Sequence, residues 1–113
     1  MKLRELHFPG CHDASLFGQA WLPERAPRAV VISHGLAEHG GRYARLATRL
    51  VDNGYAVYAL DHRGHGRSSG RRANIERFDY LVSDLGIFIG RAQREHPDTP
   101  VILFGHSMGG AVA

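Results

Sequence analysis

Three short apolar runs alternate with two segments of helical periodicity, and this alternation is what most limits how the chain can fold. The runs span residues 29–33, 55–60 and 101–104. Each is bounded by polar or turn residues and contains β-branched or aromatic side chains, as expected of strands that are buried on both faces. The order strand, helix, strand, helix, strand is typical of a mostly parallel sheet with crossover helices. We therefore predict an α/β fold.

Both segments between the runs carry apolar residues on one face of a helix. In the first segment these residues are Tyr43, Leu46, Ala47, Leu50 and Val51. In the second segment they are Phe78, Leu81, Val82, Leu85, Phe88, Ile89 and Ala92. Gly54 follows the first helix at a position where helices commonly end in a left-handed residue, and Pro97 ends the second.

The residues before the first run add two further strands. Residues 4–22 predict a pair of short strands around a turn at residues 9–13. We expect this leading pair to lie antiparallel at the edge of the sheet. Trp21 is then a packing residue, and Cys11 is an incidental thiol in the turn.

The composition excludes several classes of protein. With 113 residues the chain forms one domain at most. Its contents of 43% hydrophobic and 22% charged residues are typical of a globular protein. A net charge of +3, spread along the chain, does not indicate nucleic-acid binding. The single cysteine excludes an internal disulfide framework. No apolar run approaches the ~20 residues of a membrane-spanning helix, and no signal-peptide core is visible. We predict a cytoplasmic location; the sequence carries no signal for an oligomeric state.

Residues 105–109, Gly-His-Ser-Met-Gly, fit the pattern G-x-S-x-G directly after the third apolar run. On a tight strand-to-helix turn, such a serine has a strained backbone and an exposed hydroxyl. Gly105 and Gly109 remove the side chains that would clash across the turn. Ser107 is therefore the candidate nucleophile, with His106 beside it in the turn. An ordinary glycine-rich turn is the alternative interpretation.

A second candidate element, His34-Gly35, ends the first apolar run. If the first and third parallel strands are neighbours, the loop that begins here lies beside Ser107, and its amides can bind an oxyanion. We expect His34 to shape this loop while a backbone N–H, that of Leu36, does the binding. The alternative is a strand-to-helix turn that contains a hydrogen-bonded histidine.

The glycine-rich loop after the second run predicts neither a nucleotide site nor a metal site. Residues 64–70 resemble a dinucleotide-binding loop, but the third glycine comes one residue late and no helix opens directly after it. The histidines at 34, 39, 62 and 65 lack the spacing of the helical H-E-x-x-H zinc motif. We therefore predict no cofactor and no metal.

Four arginines make the same loop basic. They are Arg63, Arg67, Arg71 and Arg72. We expect them to form a solvated surface. Contact with anionic headgroups at a membrane surface is the alternative.

Three segments together resemble the serine α/β-hydrolases of the monoacylglycerol lipase and lysophospholipase group. They are residues 33–43 (SHGLAEHGGRY), 60–68 (LDHRGHGRS) and 104–110 (FGHSMGG), and their order and spacing also match. The resemblance extends over nearly the whole chain from Arg4 and implies an α/β-hydrolase fold. It further implies that Ser107 is the nucleophile, that the backbone N–H groups of Leu36 and Met108 form the oxyanion hole, and that segment 61–68 is structural.

The sequence departs from this family after Ser107. In this fold the acid and the histidine of the triad follow the nucleophile, but only six residues follow Ser107 and none is Asp, Glu or His. We therefore expect residues 1–113 to be the amino-terminal portion of a single α/β-hydrolase domain, truncated after the nucleophile turn. The lid, the acid and the histidine would lie beyond Ala113, and we expect this portion to be inactive by itself.

The resemblance implies hydrolysis of carboxylic esters through a serine acyl-enzyme, with monoacylglycerols or lysophospholipids as the small-molecule lipid substrates. Two alternatives stay open: a proline-type serine aminopeptidase or other amide hydrolase, and a non-catalytic binding protein on the same fold. The loop at residues 34–41 carries Glu38 and His39 and lacks the run of glycines of HGGG-type esterases. This difference favours the monoacylglycerol group over that esterase class.

Overall fold

The computed structural model describes residues 1–25, 28–72 and 77–113. Within these ranges the strands are β1 (Lys2–Pro9), β2 (Ser15–Leu22), β3 (Arg28–Ser33), β4 (Tyr55–Asp61) and β5 (Val101–Gly105). The α-helices are α1 (Ala44–Asp52), α2 (Phe78–Glu95) and α3 (Met108–Val112), and a 3-10 turn at Gly40–Tyr43 precedes α1. The predicted order of strands and helices is confirmed.

The strands form one mixed sheet in the order β1-β2-β4-β3-β5. β3 pairs in parallel with β4 and with β5, whereas β2 is antiparallel to β4 and β1 is antiparallel to β2. The predicted antiparallel pair at the edge of a parallel series is therefore confirmed. From β3 the chain crosses to β4 on one side of β3, and from β4 it crosses to β5 on the other side of β3. Since crossovers of this kind are right-handed, the reversal places α1 and α2 on opposite faces of the sheet.

Each face of the sheet carries its own apolar layer. On one face Ala47 and Val51 of α1 pack with Trp21 and Ile32. This position agrees with the packing role predicted for the tryptophan. On the other face the buried apolar side chains of α2 pack against Tyr58 of β4 and its neighbours in the sheet. Gly54, just after α1, has a φ of 89°, as its predicted place at the helix end requires.

The apolar stripe of α2 is narrower than the sequence predicts. Its buried apolar residues are Leu81, Leu85, Phe88 and Ala92. Phe78 and Val82 were expected on the same face but are 42% and 45% exposed. Val82 lies about 100° around the helix from Leu81, at the flank of the row that faces the sheet, whereas Phe78 is the first residue of the helix. No helix in the described part of the chain is long and apolar enough to cross a membrane.

An ion pair between Arg63 and Asp84 joins three parts of the fold. Asp84 of α2 is fully buried, and its carboxylate accepts hydrogen bonds from the Arg63 side chain at 2.9 and 3.1 Å and from the Cys11 N–H at 3.0 Å. Arg63 also donates to the Cys11 carbonyl oxygen. The turn between β1 and β2, the loop after β4 and α2 are thereby fastened together.

The expectation that Arg63 belongs to a solvated surface is therefore wrong. Its side chain is only 17% exposed because it neutralises the buried carboxylate of Asp84. Arg67 and Arg72 are exposed but also contact the protein: the Arg67 guanidinium lies 4.2 Å from the centre of the Phe17 ring, and Arg72 donates to carbonyl oxygens of its own loop.

Replacement of Asp84 tests how much the Arg63–Asp84 ion pair contributes to the stability of the fold. In the full-length protein that carries this sequence, we expect Asp84→Asn to lower the free energy of unfolding by about 2–4 kcal/mol, because Arg63 would keep its buried position without a counter-charge. Asp79→Asn on the same helix is the control: Asp79 and its partner Arg77 are both 62% exposed, so the loss should stay below about 1 kcal/mol. Chemical denaturation measures both values, and equal losses would contradict the assignment.

Candidate active site

The ends of β3 and β5 lie side by side at one edge of the sheet. Ser33, the last residue of β3, is paired in register with Gly105, the last residue of β5. The N–H of His106 donates to the Ser33 carbonyl oxygen at 3.1 Å. The loop at residues 34–39, here called the His34 loop, and residues 105–110, here called the Ser107 turn, therefore start next to each other. After β3 the chain turns to α1 on one face, and after β5 it turns to α3 on the other, which opens a crevice where ligands commonly bind.

Ser107 occupies a strained position between β5 and α3. Its φ of 57° and ψ of −121° are unfavourable for a residue with a side chain, and the residue is exposed. A Cβ atom at Gly105 would lie 2.6 Å from the Gly110 Cα, and one at Gly109 would lie 2.0 Å from the Ser33 carbonyl oxygen. Only glycine fits these two positions, so the tight turn predicted from the G-x-S-x-G pattern is present.

The His34 loop packs directly against the Ser107 turn. A Cβ atom at Gly35 would lie 3.4 Å from the Cβ of Ser107. In the described part of the chain, neither the N–H of Leu36 nor that of Met108 has a hydrogen-bond acceptor. Two free backbone donors are therefore available, one in the loop beside the serine and one directly after it.

His34 is buried in this loop and is not aimed at Ser107. Its Nδ1 lies 2.7 Å from the Gly35 carbonyl oxygen, and its Nε2 accepts a hydrogen bond from the N–H of His62 at 2.9 Å. Burial lowers the pKa of the imidazole, so that the ring is neutral. Both ring nitrogens are therefore engaged in hydrogen bonds within the fold.

Glu38 connects the His34 loop to its surroundings, and our sequence reasoning did not single it out as a contact residue. Its Oε1 accepts hydrogen bonds from the Gly35 N–H at 2.8 Å and the Tyr43 hydroxyl at 2.9 Å, and lies 3.4 Å from Nδ1 of His106. The bond from Gly35 is the main reason that the pKa of this carboxyl falls to about 2. An acidic residue three positions after a loop glycine was the available signal.

Asp61 fixes the other end of the same region. Its carboxylate accepts hydrogen bonds from the Gly40 N–H at 2.6 Å and the Arg67 N–H at 3.0 Å. The hydroxyl of Ser68 donates to the Asp61 carbonyl oxygen and itself accepts from the Phe17 N–H. These contacts are internal to the fold, in keeping with the structural part that the resemblance implies for segment 61–68.

The residues described in this structure do not supply a base for Ser107. Within residues 1–25, 28–72 and 77–113, the Ser107 hydroxyl makes no hydrogen bond, and the neighbouring His106 ring faces Glu38. The same ranges contain no group of three or more His, Cys, Asp or Glu residues placed to hold a metal ion.

The two glycines at the start of α3 give a matched test of the turn. A Cβ atom at Gly109 would overlap the Ser33 backbone, whereas one at Gly110 would meet nothing closer than 3.7 Å. In the full-length protein we expect Gly109→Ala to lower the free energy of unfolding by about 2–4 kcal/mol. Gly110→Ala should change it by less than about 1 kcal/mol, since alanine favours a helix. Chemical denaturation compares the two, and a fully stable Gly109→Ala protein would contradict the close packing.

Comparison with known protein families gives one match over most of the chain. The family described as serine aminopeptidase S33 matches residues 24–113. Among curated proteins, monoacylglycerol lipase of Mycolicibacterium smegmatis is 44% identical over 96% of this chain, and human monoglyceride lipase is 41% identical over 95% of it. The chain spans 39% and 36% of the lengths of these two relatives.

Solved structures agree with the sequence comparison. A thermostable carboxyl esterase from Bacillus coagulans, in complex with glycerol, superposes on 100% of this chain with a TM-score of 0.89. The two sequences are 29% identical, and the match covers 39% of the esterase chain. The shared architecture extends over all five strands and the Ser107 turn.

Proposed function

Because the chain belongs to the serine aminopeptidase S33 family and has the α/β-hydrolase fold, we propose that Ser107 is the nucleophile of a carboxylic ester hydrolase. In this proposal residues 1–113 form the amino-terminal portion of a single hydrolase domain. The observation that carries it is the backbone of Ser107, whose positive φ holds an exposed hydroxyl at the carboxyl edge of the sheet. A serine without a reactive role rarely retains such strain.

The free backbone donors beside Ser107 support an acyl-transfer reaction. The Ser107 oxygen attacks the ester carbonyl carbon, and its proton passes to a histidine that we expect later in the chain. The carbonyl oxygen becomes an oxyanion, which the N–H groups of Leu36 and Met108 bind. Collapse of this intermediate leaves an acyl-serine and releases the alcohol, which takes up the proton. Water then repeats the sequence, releasing the carboxylic acid and restoring the serine.

Monoacylglycerols are the proposed substrates, with lysophospholipids as the next class. The curated relatives named as monoacylglycerol or monoglyceride lipases support this choice. So does the His34 loop, which has no run of glycines. An aminopeptidase activity is the second candidate, because the matching family is described by that name.

Covalent labelling tests the nucleophile. In the full-length protein we expect a fluorophosphonate to label Ser107, and Ser107→Ala should abolish labelling and lower ester turnover by several orders of magnitude. Ser83→Ala is the control, since Ser83 is also exposed but lies within regular α2. Mass spectrometry identifies the labelled serine. Undiminished labelling of the Ser107→Ala protein would remove the assignment, and an unlabelled wild-type protein would favour a non-catalytic binding protein.

Initial rates on three substrates test the proposed class. We expect faster hydrolysis of a long-chain monoacylglycerol than of the triacylglycerol with the same acyl chain. A tenfold preference requires only ~1.4 kcal/mol of differential transition-state binding. An aminoacyl amide is the third substrate. Preference for the amide would support the aminopeptidase candidate, and preference for triacylglycerol would contradict the monoacylglycerol proposal while leaving Ser107 as the nucleophile.

A further inference from the structure

Three buried polar residues, Ser33, His34 and His62, lie beneath the Ser107 turn and form what we call the polar row. None has any exposed surface. The Ser33 hydroxyl lies 2.9 Å from the Gly109 carbonyl oxygen and 2.9 Å from Nε2 of His62. Burying polar groups is costly unless they are hydrogen-bonded, so their arrangement needs an explanation.

The hydrogen-bond directions in the polar row follow from the protons available. A carbonyl oxygen only accepts, so the single Ser33 hydroxyl proton points to Gly109. His62 must then donate its Nε2 proton to the Ser33 oxygen. Burial, with smaller contributions from His34 and His65, lowers the pKa of His62 to about 3. The ring is therefore neutral near pH 7 and carries this one proton.

The other side of His62 leads to the His34 loop. The His62 backbone N–H donates to Nε2 of His34, so the one proton of the neutral His34 ring lies on Nδ1. That Nδ1–H donates to the Gly35 carbonyl oxygen at 2.7 Å. The polar row thus connects the Gly109 carbonyl with the Gly35 carbonyl.

Both carbonyls control the direction of a proposed oxyanion donor. The Gly35 carbonyl and the Leu36 N–H belong to one planar peptide group, so fixing the oxygen fixes the N–H. The Gly109 carbonyl shares its peptide group with the Gly110 N–H, which donates to the Ser107 carbonyl oxygen at 3.0 Å. The Ser107 carbonyl in turn shares a peptide group with the Met108 N–H. The chain of contacts therefore runs without a break from one donor to the other.

We propose that His62 is a positioning residue that fixes the relative directions of the Leu36 and Met108 N–H groups. This inference rests on the proposed function, because it concerns the oxyanion hole of that reaction. His62 contacts neither substrate nor reacting atoms; it acts through Ser33 and through the backbone. Loss of its Nε2 proton removes the donor that holds the Ser33 hydroxyl against the Gly109 carbonyl, and the Met108 N–H then loses its alignment with the Leu36 N–H, whose side of the row depends on the His62 backbone.

We expect the loss of the His62 imidazole to destabilise the transition state more than the bound substrate. Donors in an oxyanion hole act on the charge that develops during attack, so poor alignment lowers kcat while KM stays nearly constant. A trifluoromethyl ketone reports the same geometry. The Ser107 oxygen adds to its carbonyl carbon, the serine proton passes to the base, and the ketone oxygen becomes an oxyanion in the hole.

The test compares His62→Leu with His62→Gln in the full-length protein. Leucine removes the Nε2 donor, whereas the glutamine side-chain amide can present an N–H near the same position. His65→Leu is the matched control, because His65 is also a buried loop histidine but contacts the Arg63 carbonyl oxygen and lies outside the polar row. Each variant is assayed with 4-nitrophenyl butyrate for kcat and KM, with the ketone for Ki, and by circular dichroism for folding.

We expect His62→Leu to lower kcat about tenfold or more, with KM within about twofold, and to raise the ketone Ki by a similar factor. His62→Gln should recover most of kcat, and His65→Leu should keep the wild-type kcat. A folded His62→Leu protein with wild-type kcat and Ki would overturn the inference, and so would an equal loss of kcat in His65→Leu.

The Ser33→Ala variant tests the same inference even if the His62→Leu protein does not fold. This smaller change removes only the hydroxyl that joins His62 to Gly109, and we expect the same selective loss of kcat. Wild-type kcat in folded Ser33→Ala would overturn the inference. Failure of the proposed function is recognised separately: the wild-type protein would then show neither labelling of Ser107 nor ester turnover.

Discussion

The parallel pairing of β3 with β5 is the constraint on which the candidate site depends. It brings Ser33 opposite Gly105, so the loops that follow the two strands leave the sheet at the same place. The backbone of Gly109 then approaches the Ser33 carbonyl so closely that no side chain is possible there. This contact holds the start of α3 against β3 and keeps Ser107 in its unfavourable backbone conformation. Without the pairing, neither the strain at Ser107 nor the neighbouring free N–H groups would persist.

Apolar packing and buried polar contacts have different tasks in this fold. The two apolar layers hold the helices against the sheet, but they are non-directional and set no loop conformation. Directional contacts do that: Asp84 binds the turn before β2, Asp61 binds the residues before α1, and the polar row lies beneath the Ser107 turn. Each of these contacts joins two polar groups from distant parts of the chain. The loops are therefore specified by a small number of hydrogen bonds, each costly to disrupt.

Sequence periodicity and turn residues were sufficient to predict the strands, the helices and the antiparallel leading pair, because each depends on local pattern. The sequence did not predict that β3 and β5 are adjacent; we assumed it. Strand order is set by packing between segments that are distant in the chain. The burial of Arg63 was missed for the same reason: its partner Asp84 lies in another element. Phe78 and Val82 fit the helical period but are exposed, Val82 because it lies beside the row that meets the sheet and Phe78 because it is the first residue of α2. The G-x-S-x-G pattern located the Ser107 turn, whereas nothing local identified the polar row.

The wide sequence separation between β3 and β5 has a consequence for the order of folding. Their paired residues are about seventy positions apart, whereas the β1–β2 hairpin closes over a few residues. Contacts between distant segments form slowly, because the intervening chain must be ordered first. We expect the hairpin and the helices to form early and the β3–β5 ladder to form late. Ser107 would acquire its strained backbone only at that last step, so that a partly folded chain would hold this serine in an ordinary backbone conformation.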